Sequence, residues 1–304
     1  MAFNLFSKNK NENQAEEEKS EKKVNIQEMT SSSASKIIKQ LSGGQIDFGN
    51  RMIDNFVVVS NASGGAGAST VVSNVAYTAS RKGLRVLVID LNILLPTQHM
   101  YFGIKQELEK PDLVGYLLGK NALGDAMEQT KNGYVMYANN RGLMDYINCE
   151  LDQAVNNLKD LVQNVKKLFD FVIVDCPMSI ENTICNYAFY MADAIYLVWD
   201  EGISSIANTE KIRRNMAYTG IDAYTKMKII LNKRTDIQYS QYPFKKLNVE
   251  LMQFLPFEQA IITSSLASEI FCEKGQSRSK NAGYFVGGIE QLTDKILEAG
   301  GYIK

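Results

Sequence analysis

The stretch SNASGGAGAST, residues 60–70, determines how the rest of the chain is interpreted. It follows the apolar run FVVV, residues 56–59, and precedes a segment, 69–81, whose apolar residues recur at helical spacing. A buried strand, a glycine-rich turn and a helix N-terminus in this order make a phosphate cradle. Glycines let the backbone approach an anion, and unpaired N–H groups point at it. The sequence therefore predicts an anion-binding loop here.

This loop keeps a hydroxyl but lacks a lysine. In the usual P-loop pattern, GxxxxGK[ST], the lysine reaches the β- and γ-phosphates and the hydroxyl holds Mg²⁺. Ser69 supplies the hydroxyl, whereas alanine stands at the lysine position. We predict that the phosphates of a nucleotide cofactor bind to the loop residues Ser63, Gly64, Gly65, Ala66, Gly67, Ala68, Ser69 and Thr70.

Beyond the loop, short apolar runs alternate with helical patterns, which is typical of βαβ units and a parallel sheet. The runs predicted as strands are 56–60, 86–90, 134–139, 171–175, 194–199, 227–232 and 252–256. Right-handed crossovers between them give an α/β fold with a doubly wound, mostly parallel sheet, a Rossmann-like arrangement of three layers. In such a sheet, ligands bind at the carboxyl ends of the strands.

Composition suggests one folded domain, 51–304, after a mostly disordered N-terminal arm, 1–50. Residues 7–24 are dense in lysine and glutamate and offer almost nothing apolar to bury. The net charge of −1 and the pI of about 6.0 argue against an overall basic field for nucleic acid. The sequence has no run of about 18 apolar residues, so we expect no transmembrane helix.

Cysteine and histidine usage limits the possible chemistry. The cysteines Cys149, Cys176, Cys185 and Cys272 form no CxxC pair, so we expect reduced thiols in a cytoplasmic protein. His99 is the only histidine, which argues against a catalytic triad or a histidine metal site. The N-terminal apolar stretch is too short for a secretory signal.

Two of the apolar runs that are predicted as strands end in an aspartate. Asp90 ends the run VLVID, and Asp175 ends the run FVIVD in the manner of a Walker B motif. Because parallel strands bring their carboxyl ends to one edge, both acids should lie near the glycine-rich loop. We predict that Ser69 and Asp175 hold Mg²⁺, a cation that prefers oxygen ligands.

These motifs together resemble the ParA/MinD family of P-loop NTPases, whose deviant loop reads KGGxGK[ST]T. Ser63 occupies the position of that family's second lysine, so both lysines are missing. The family's DxD motif matches Asp90 and Asn92, which the resemblance makes the candidate catalytic residues. Asp175 fits its DxP motif, and Asn232 and Pro256 match the residues that contact adenine from two sides.

The loop ending AST and the missing lysines are most similar to the CpaE/TadZ branch of the family. That branch localises the Tad, or type IV pilus, assembly machinery. The resemblance implies a homodimer that binds ATP and Mg²⁺ with very slow hydrolysis or none. It further implies that the protein positions a pilus or secretion machine, and contacts the inner face of the membrane through partner proteins.

Two alternatives stay open at the level of sequence. One is an active ATPase that partitions plasmid or chromosomal DNA through a basic face. The residues that could form this face are Lys211, Arg213, Arg214, Lys226, Lys228, Lys233 and Arg234. The other is an interaction module with no nucleotide. The C-terminal segment 285–297 has apolar spacing suited to packing on the domain, and it lacks the lysine-rich face of a membrane-binding helix.

Overall fold

The computed structural model describes residues 52–139, 142–149, 151–178, 182–235, 244–274 and 279–302. The arm predicted for residues 1–50 lies outside this part of the chain. The strands are β1 Phe56–Asn61, β2 Val86–Asp90, β3 Glu128–Thr130, β4 Gly133–Met136, β5 Phe171–Asp175, β6 Ala194–Trp199, β7 Met227–Arg234 and β8 Glu250–Pro256. The helices are α1 Ala68–Arg81, α2 Gln98–Tyr101, α3 Leu113–Leu117, α4 Leu143–Ile147, α5 Leu151–Leu168, α6 Thr183–Met191, α7 Ile203–Tyr218, α8 Ala223–Lys226, α9 Phe244–Leu247, α10 Gln259–Leu266, α11 Phe271–Lys274 and α12 Lys280–Ala299.

The eight strands form one sheet in the order β3-β4-β2-β5-β1-β6-β7-β8. All neighbouring pairs are parallel except β3 and β4, which are antiparallel. β1 lies inside the sheet between β5 and β6, so the loop that follows it opens at the carboxyl edge, flanked by the ends of both neighbours. The predicted fold class, a doubly wound and mostly parallel sheet, is confirmed.

Helices cover both faces of the sheet. Side chains alternate between the two faces along each strand, and the apolar residues on each face are buried under a layer of helices. Val58 of β1 and Val172 of β5 face the core that includes apolar residues of α5, α6 and α7. Val57 and Val59 face the opposite core, which is built from α1 and α12. α12 buries Phe285, Ile289, Leu292 and Ile296, so the predicted packing of the C-terminal segment is confirmed.

All seven predicted runs contain a strand, although several boundaries differ and one observed strand lies outside the predicted runs. The run 134–139 forms strand only over β4, Gly133–Met136. β3 was not predicted, because Glu128–Thr130 is short, polar and partly exposed. It becomes a strand only by pairing with β4 across a tight turn.

The residues considered for a basic face differ in exposure: Lys211, Arg214 and Lys233 are exposed, whereas Arg213 is buried. β7, which carries Lys228 and Lys233, is an internal strand between β6 and β8. Arg213 is only 2% exposed and donates to the carbonyl of Leu247. Lys228 forms an ion pair with Glu250 at 3.4 Å. Among the helices in the described ranges, none combines the length and apolar character needed to cross a bilayer.

Candidate functional site

The glycine-rich loop joins β1 to α1 and turns at Gly67. Gly67 has φ of 103° and directly precedes the first residue of α1. A side chain here would strain the backbone, and its Cβ would lie 2.4 Å from Nδ2 of Asn232. The N–H of Ala68 donates to Oδ1 of Asn61 over 2.8 Å, so the last residue of β1 holds the start of the helix.

Two consecutive residues at the end of β7 secure the loop from the other side. Nδ2 of Asn232 donates to the carbonyl of Ala66 over 2.8 Å. Nζ of Lys233 donates to the carbonyl of Gly65 over 2.6 Å, and Lys233 takes φ of 55°, a conformation that side-chain-bearing residues seldom adopt. Both bonds occupy loop carbonyls, while the N–H groups of Ala66 and Ala68 are bonded within the chain, to the carbonyl of Ser63 and to Oδ1 of Asn61.

The two positions that carry lysine in the resembling family are occupied differently. Ala68 is fully buried and offers only its backbone. The Ser63 hydroxyl lies 2.8 Å from the hydroxyl of Ser205, which donates to Oδ1 of Asp200 over 2.6 Å. Burial works against ionisation of Asp200, but hydrogen bonds from Ser205, Gly202 and Ser63 outweigh it and lower its pKa. The Ser63 hydroxyl is therefore part of a hydrogen-bonded group with Ser205 and the carboxylate of Asp200.

Asp90 and Asp175 are directly opposite each other in the register of β2 and β5. Oδ1 of Asp90 accepts from the N–H of Asn92 at 3.0 Å, and its Oδ2 accepts from the N–H groups of Thr97 and Gln98 at 2.7 and 2.9 Å. Burial, followed by the charge of Asp175, raises the pKa of Asp90 to about 7, and the three N–H donors oppose this shift. Asp90 thus anchors the segment after β2.

Asp175 lies beside the first turn of α1. Its Oδ2 accepts from Nε2 of Gln98 over 2.6 Å, and it is hydrogen-bonded to the Ser69 hydroxyl. Burial raises the pKa of Asp175, and these two hydrogen bonds oppose that shift. Among the described residues, no lysine, arginine or histidine forms an ion pair with Asp90 or Asp175.

This corner fits a divalent cation. Two buried carboxylates without a basic partner are costly, and a cation next to them would offset that cost. The donors present are a carboxylate of Asp175 and the hydroxyl of Ser69, the hard oxygen ligands that Mg²⁺ takes together with water. In addition, Oε1 of the fully buried Gln98 has no hydrogen-bond partner among the described residues.

The remaining candidate residues divide between two sides of the loop. Asn232 and Pro256 line a cavity of about 210 Å³ together with Gly65, Gly67 and Phe257. This cavity is where the structure brings together the two residues expected to contact adenine. Thr70 lines it as well, and its hydroxyl lies 3.0 Å from that of Tyr101. Asn92 is half-buried near Asp90, on the metal side.

Sequence reasoning missed Gln98 and the two anchors Asn61 and Ser205. Gln98 lies eight positions after Asp90 in a segment with no strong periodicity, so nothing local indicates that it folds back onto α1. Asn61 directly follows the predicted strand, and its position there was the one available signal. The polar residue Ser205 is buried in α7 and is recognisable only from the tertiary contact.

Comparisons with known proteins agree with this geometry. The family model described as AAA domain matches residues 54–239, more than half of the chain. The septum site-determining protein MinD of Synechocystis sp. is 24% identical over 227 residues, which cover 71% of this chain and 81% of that protein.

Solved structures show the same fold. The MinD cell division protein of Aquifex aeolicus aligns with a TM-score of 0.64 and 17% identity, over 80% of this chain and 96% of that one. MinD of Pyrococcus horikoshii, solved with Mg-ADP, aligns with a TM-score of 0.62 and 20% identity, over 79% of this chain and 95% of that one. The chain therefore belongs to the AAA domain family and has the fold of the ParA/MinD-type P-loop NTPases.

Proposed function

We propose that this chain binds ATP with Mg²⁺ at the glycine-rich loop and hydrolyses it very slowly or not at all. The observation that carries the proposal is the loop itself. Asn232 and Lys233 fix two of its carbonyls in place, whereas Ala68 and Ser63 stand at the positions of both lysines. A related fold, MinD of Pyrococcus horikoshii, was solved with Mg-ADP.

Binding and hydrolysis depend on the lysines to different degrees. Losing one charge-assisted hydrogen bond costs roughly 1.5–3 kcal/mol, which is about 10- to 150-fold in affinity. Backbone N–H groups, Mg²⁺ and the base contacts do not depend on those side chains. Hydrolysis suffers more, because cations at the loop stabilise charge that develops in the transition state.

A homodimer is part of the same proposal. Leu94 and Leu95, which follow β2 at the carboxyl edge, are 58% and 73% exposed. Two large apolar side chains beside the loop suit an interface between two copies, with the nucleotide contributing stability to it by mass action. Light scattering of the purified chain, with and without an ATP analogue, tests this directly. A mass that stays monomeric at all nucleotide concentrations contradicts it.

For the biological role, we propose a localisation or assembly factor for a Tad or type IV pilus or a secretion machine, peripheral to the membrane through protein partners. The support is the resemblance of the loop to the CpaE/TadZ branch. Loss of the protein should abolish pilus or secretion function while DNA partition stays normal. A partition defect, together with salt-dependent DNA binding, would favour the ParA-type alternative.

The experiment that tests the biochemical proposal is a titration of the full chain with a fluorescent ATP analogue plus Mg²⁺, with phosphate release followed in the same samples. Binding without turnover is the expected result. Turnover at a rate typical of the family would show that other residues replace the lysines. No binding at millimolar nucleotide would leave the fold as an interaction module.

A further inference from the structure

Gln98 links the two strand-end carboxylates to the helix that follows the loop. Its backbone N–H donates to Oδ2 of Asp90 over 2.9 Å. Its side-chain Nε2 donates to Oδ2 of Asp175 over 2.6 Å and to the carbonyl of Ser69 over 3.1 Å. Gln98 is fully buried, so these contacts are shielded from water. One residue therefore sets the spacing between Asp90, Asp175 and the first turn of α1.

The two acceptors settle the orientation of the amide. A carboxylate oxygen and a backbone carbonyl both need a donor, so the NH₂ group faces them and Oε1 faces elsewhere. This Oε1 has no hydrogen-bond partner among the described residues. A buried carbonyl left without a donor is unfavourable. A water molecule bound to a cation can donate the missing hydrogen bond to this Oε1.

We propose that Gln98 is a positioning residue of the magnesium site: it holds Asp175 against α1 through Nε2 and accepts from a metal-bound water through Oε1. The inference rests on the proposed function, since the nucleotide would bring Mg²⁺ to this corner. A neutral amide suits the role, because it donates to a carboxylate and accepts from water without adding charge. A glutamate would place a third carboxylate beside Asp90 and Asp175.

The test compares nucleotide affinity of the full chain in Mg²⁺ and in EDTA for the wild type and for Gln98→Met, which conserves side-chain length. We expect the Mg²⁺ concentration at half-saturation to rise roughly 10- to 100-fold, the usual effect of losing a partner of a metal ligand. Affinity in EDTA should not change. Gln253→Met is the matched control, because the Gln253 amide also donates to two acceptors, in Gly288 and Gln291, away from this corner.

Each outcome is decisive. If the wild type binds nucleotide in a Mg²⁺-dependent manner and Gln98→Met does so with the same half-saturation, the inference is wrong and the proposed function stands. Equal weakening in Mg²⁺ and EDTA would show a purely structural role and would also overturn it. A wild type that binds no nucleotide refutes the proposed function and the inference with it. If Gln98→Met shows no cooperative melt, Gln98→Asn, which keeps a shorter amide, should shift the half-saturation in the same direction.

Discussion

Gly67 offers the sharpest test of how the loop is held. Changing Gly67 to Ala places a side chain at φ of 103° and puts its Cβ 2.4 Å from Nδ2 of Asn232. The backbone strain costs about 1–2 kcal/mol. Asn232 can rotate away from the new methyl group, so the further cost is its lost hydrogen bond to Ala66. A buried partner left unsatisfied costs about 1–3 kcal/mol. We therefore expect Gly67→Ala to lower the free energy of unfolding by roughly 2–5 kcal/mol.

Gly65 provides a matched control in the same loop. It has φ of 78°, and a Cβ added there would meet nothing within 4 Å. Gly65→Ala should therefore cost only the backbone strain, about 1–2 kcal/mol. The difference between the two glycines isolates the contact with Asn232.

A double-mutant cycle with Asn232→Ala completes the test. In that background the hydrogen bond is already gone, so Gly67→Ala should add only the strain, and the double variant should be more stable than the sum of the single changes by about 1–3 kcal/mol. The assay is urea unfolding without nucleotide at fixed pH, followed by circular dichroism. Additive effects, or a Gly67→Ala variant no worse than Gly65→Ala, would refute the reasoning.

Three further predictions concern the same site. Ala68→Lys should tighten ATP binding by about 10-fold or more, since it restores a charge-assisted hydrogen bond, and an unchanged dissociation constant would mean that the loop does not hold the phosphates. Without Mg²⁺, the contribution of Asp90 to the free energy of unfolding, taken as the difference between wild type and Asp90→Asn, should fall as pH rises from 3.8 to about 7, because folded Asp90 retains a proton that the unfolded chain loses. Saturating Mg²⁺ should flatten this slope in pH-dependent urea unfolding, and an equal slope in wild type, wild type with Mg²⁺ and Asp90→Asn contradicts the assignment. Lys233→Met removes the hydrogen bond to Gly65 while keeping the side-chain stem, so it should cost about 1 kcal/mol in the same unfolding assay; a variant as stable as the wild type would show that this bond contributes nothing.

Much of the fold was predictable because its strands are buried on both faces. Runs such as 171–175 are apolar throughout and end in an acid, so periodicity and length identify them without tertiary information. β3 was not predictable in this way. Its residues, Glu128–Thr130, have no apolar pattern, and they form a strand only because β4 offers a free edge.

The basic residues show a second limit of prediction from sequence, which concerns the exposure of charged side chains. Arg213 and Arg214 are adjacent in the sequence, yet Arg214 is exposed, whereas Arg213 is 2% exposed and its guanidinium lies 3.8 Å from the ring centre of Tyr224. Whether a charge is exposed depends on which elements become neighbours, and a single sequence carries little information about that order.

Local chemistry along the chain was sufficient to locate the loop, its hydroxyl at Ser69 and the acids Asp90 and Asp175, because each lies next to a strongly patterned strand or helix. Tertiary structure decided what these residues contact. It places three backbone N–H groups within hydrogen-bond distance of Asp90, and it places the Gln98 amide against the carbonyl of Ser69 in the first turn of α1. The bonds of Asp90 are local, to residues two to eight positions away, but they depend on how the segment after β2 folds back, and the contact of Gln98 with Ser69 joins residues 29 positions apart. Sheet order and register set this geometry, and no local pattern encodes them.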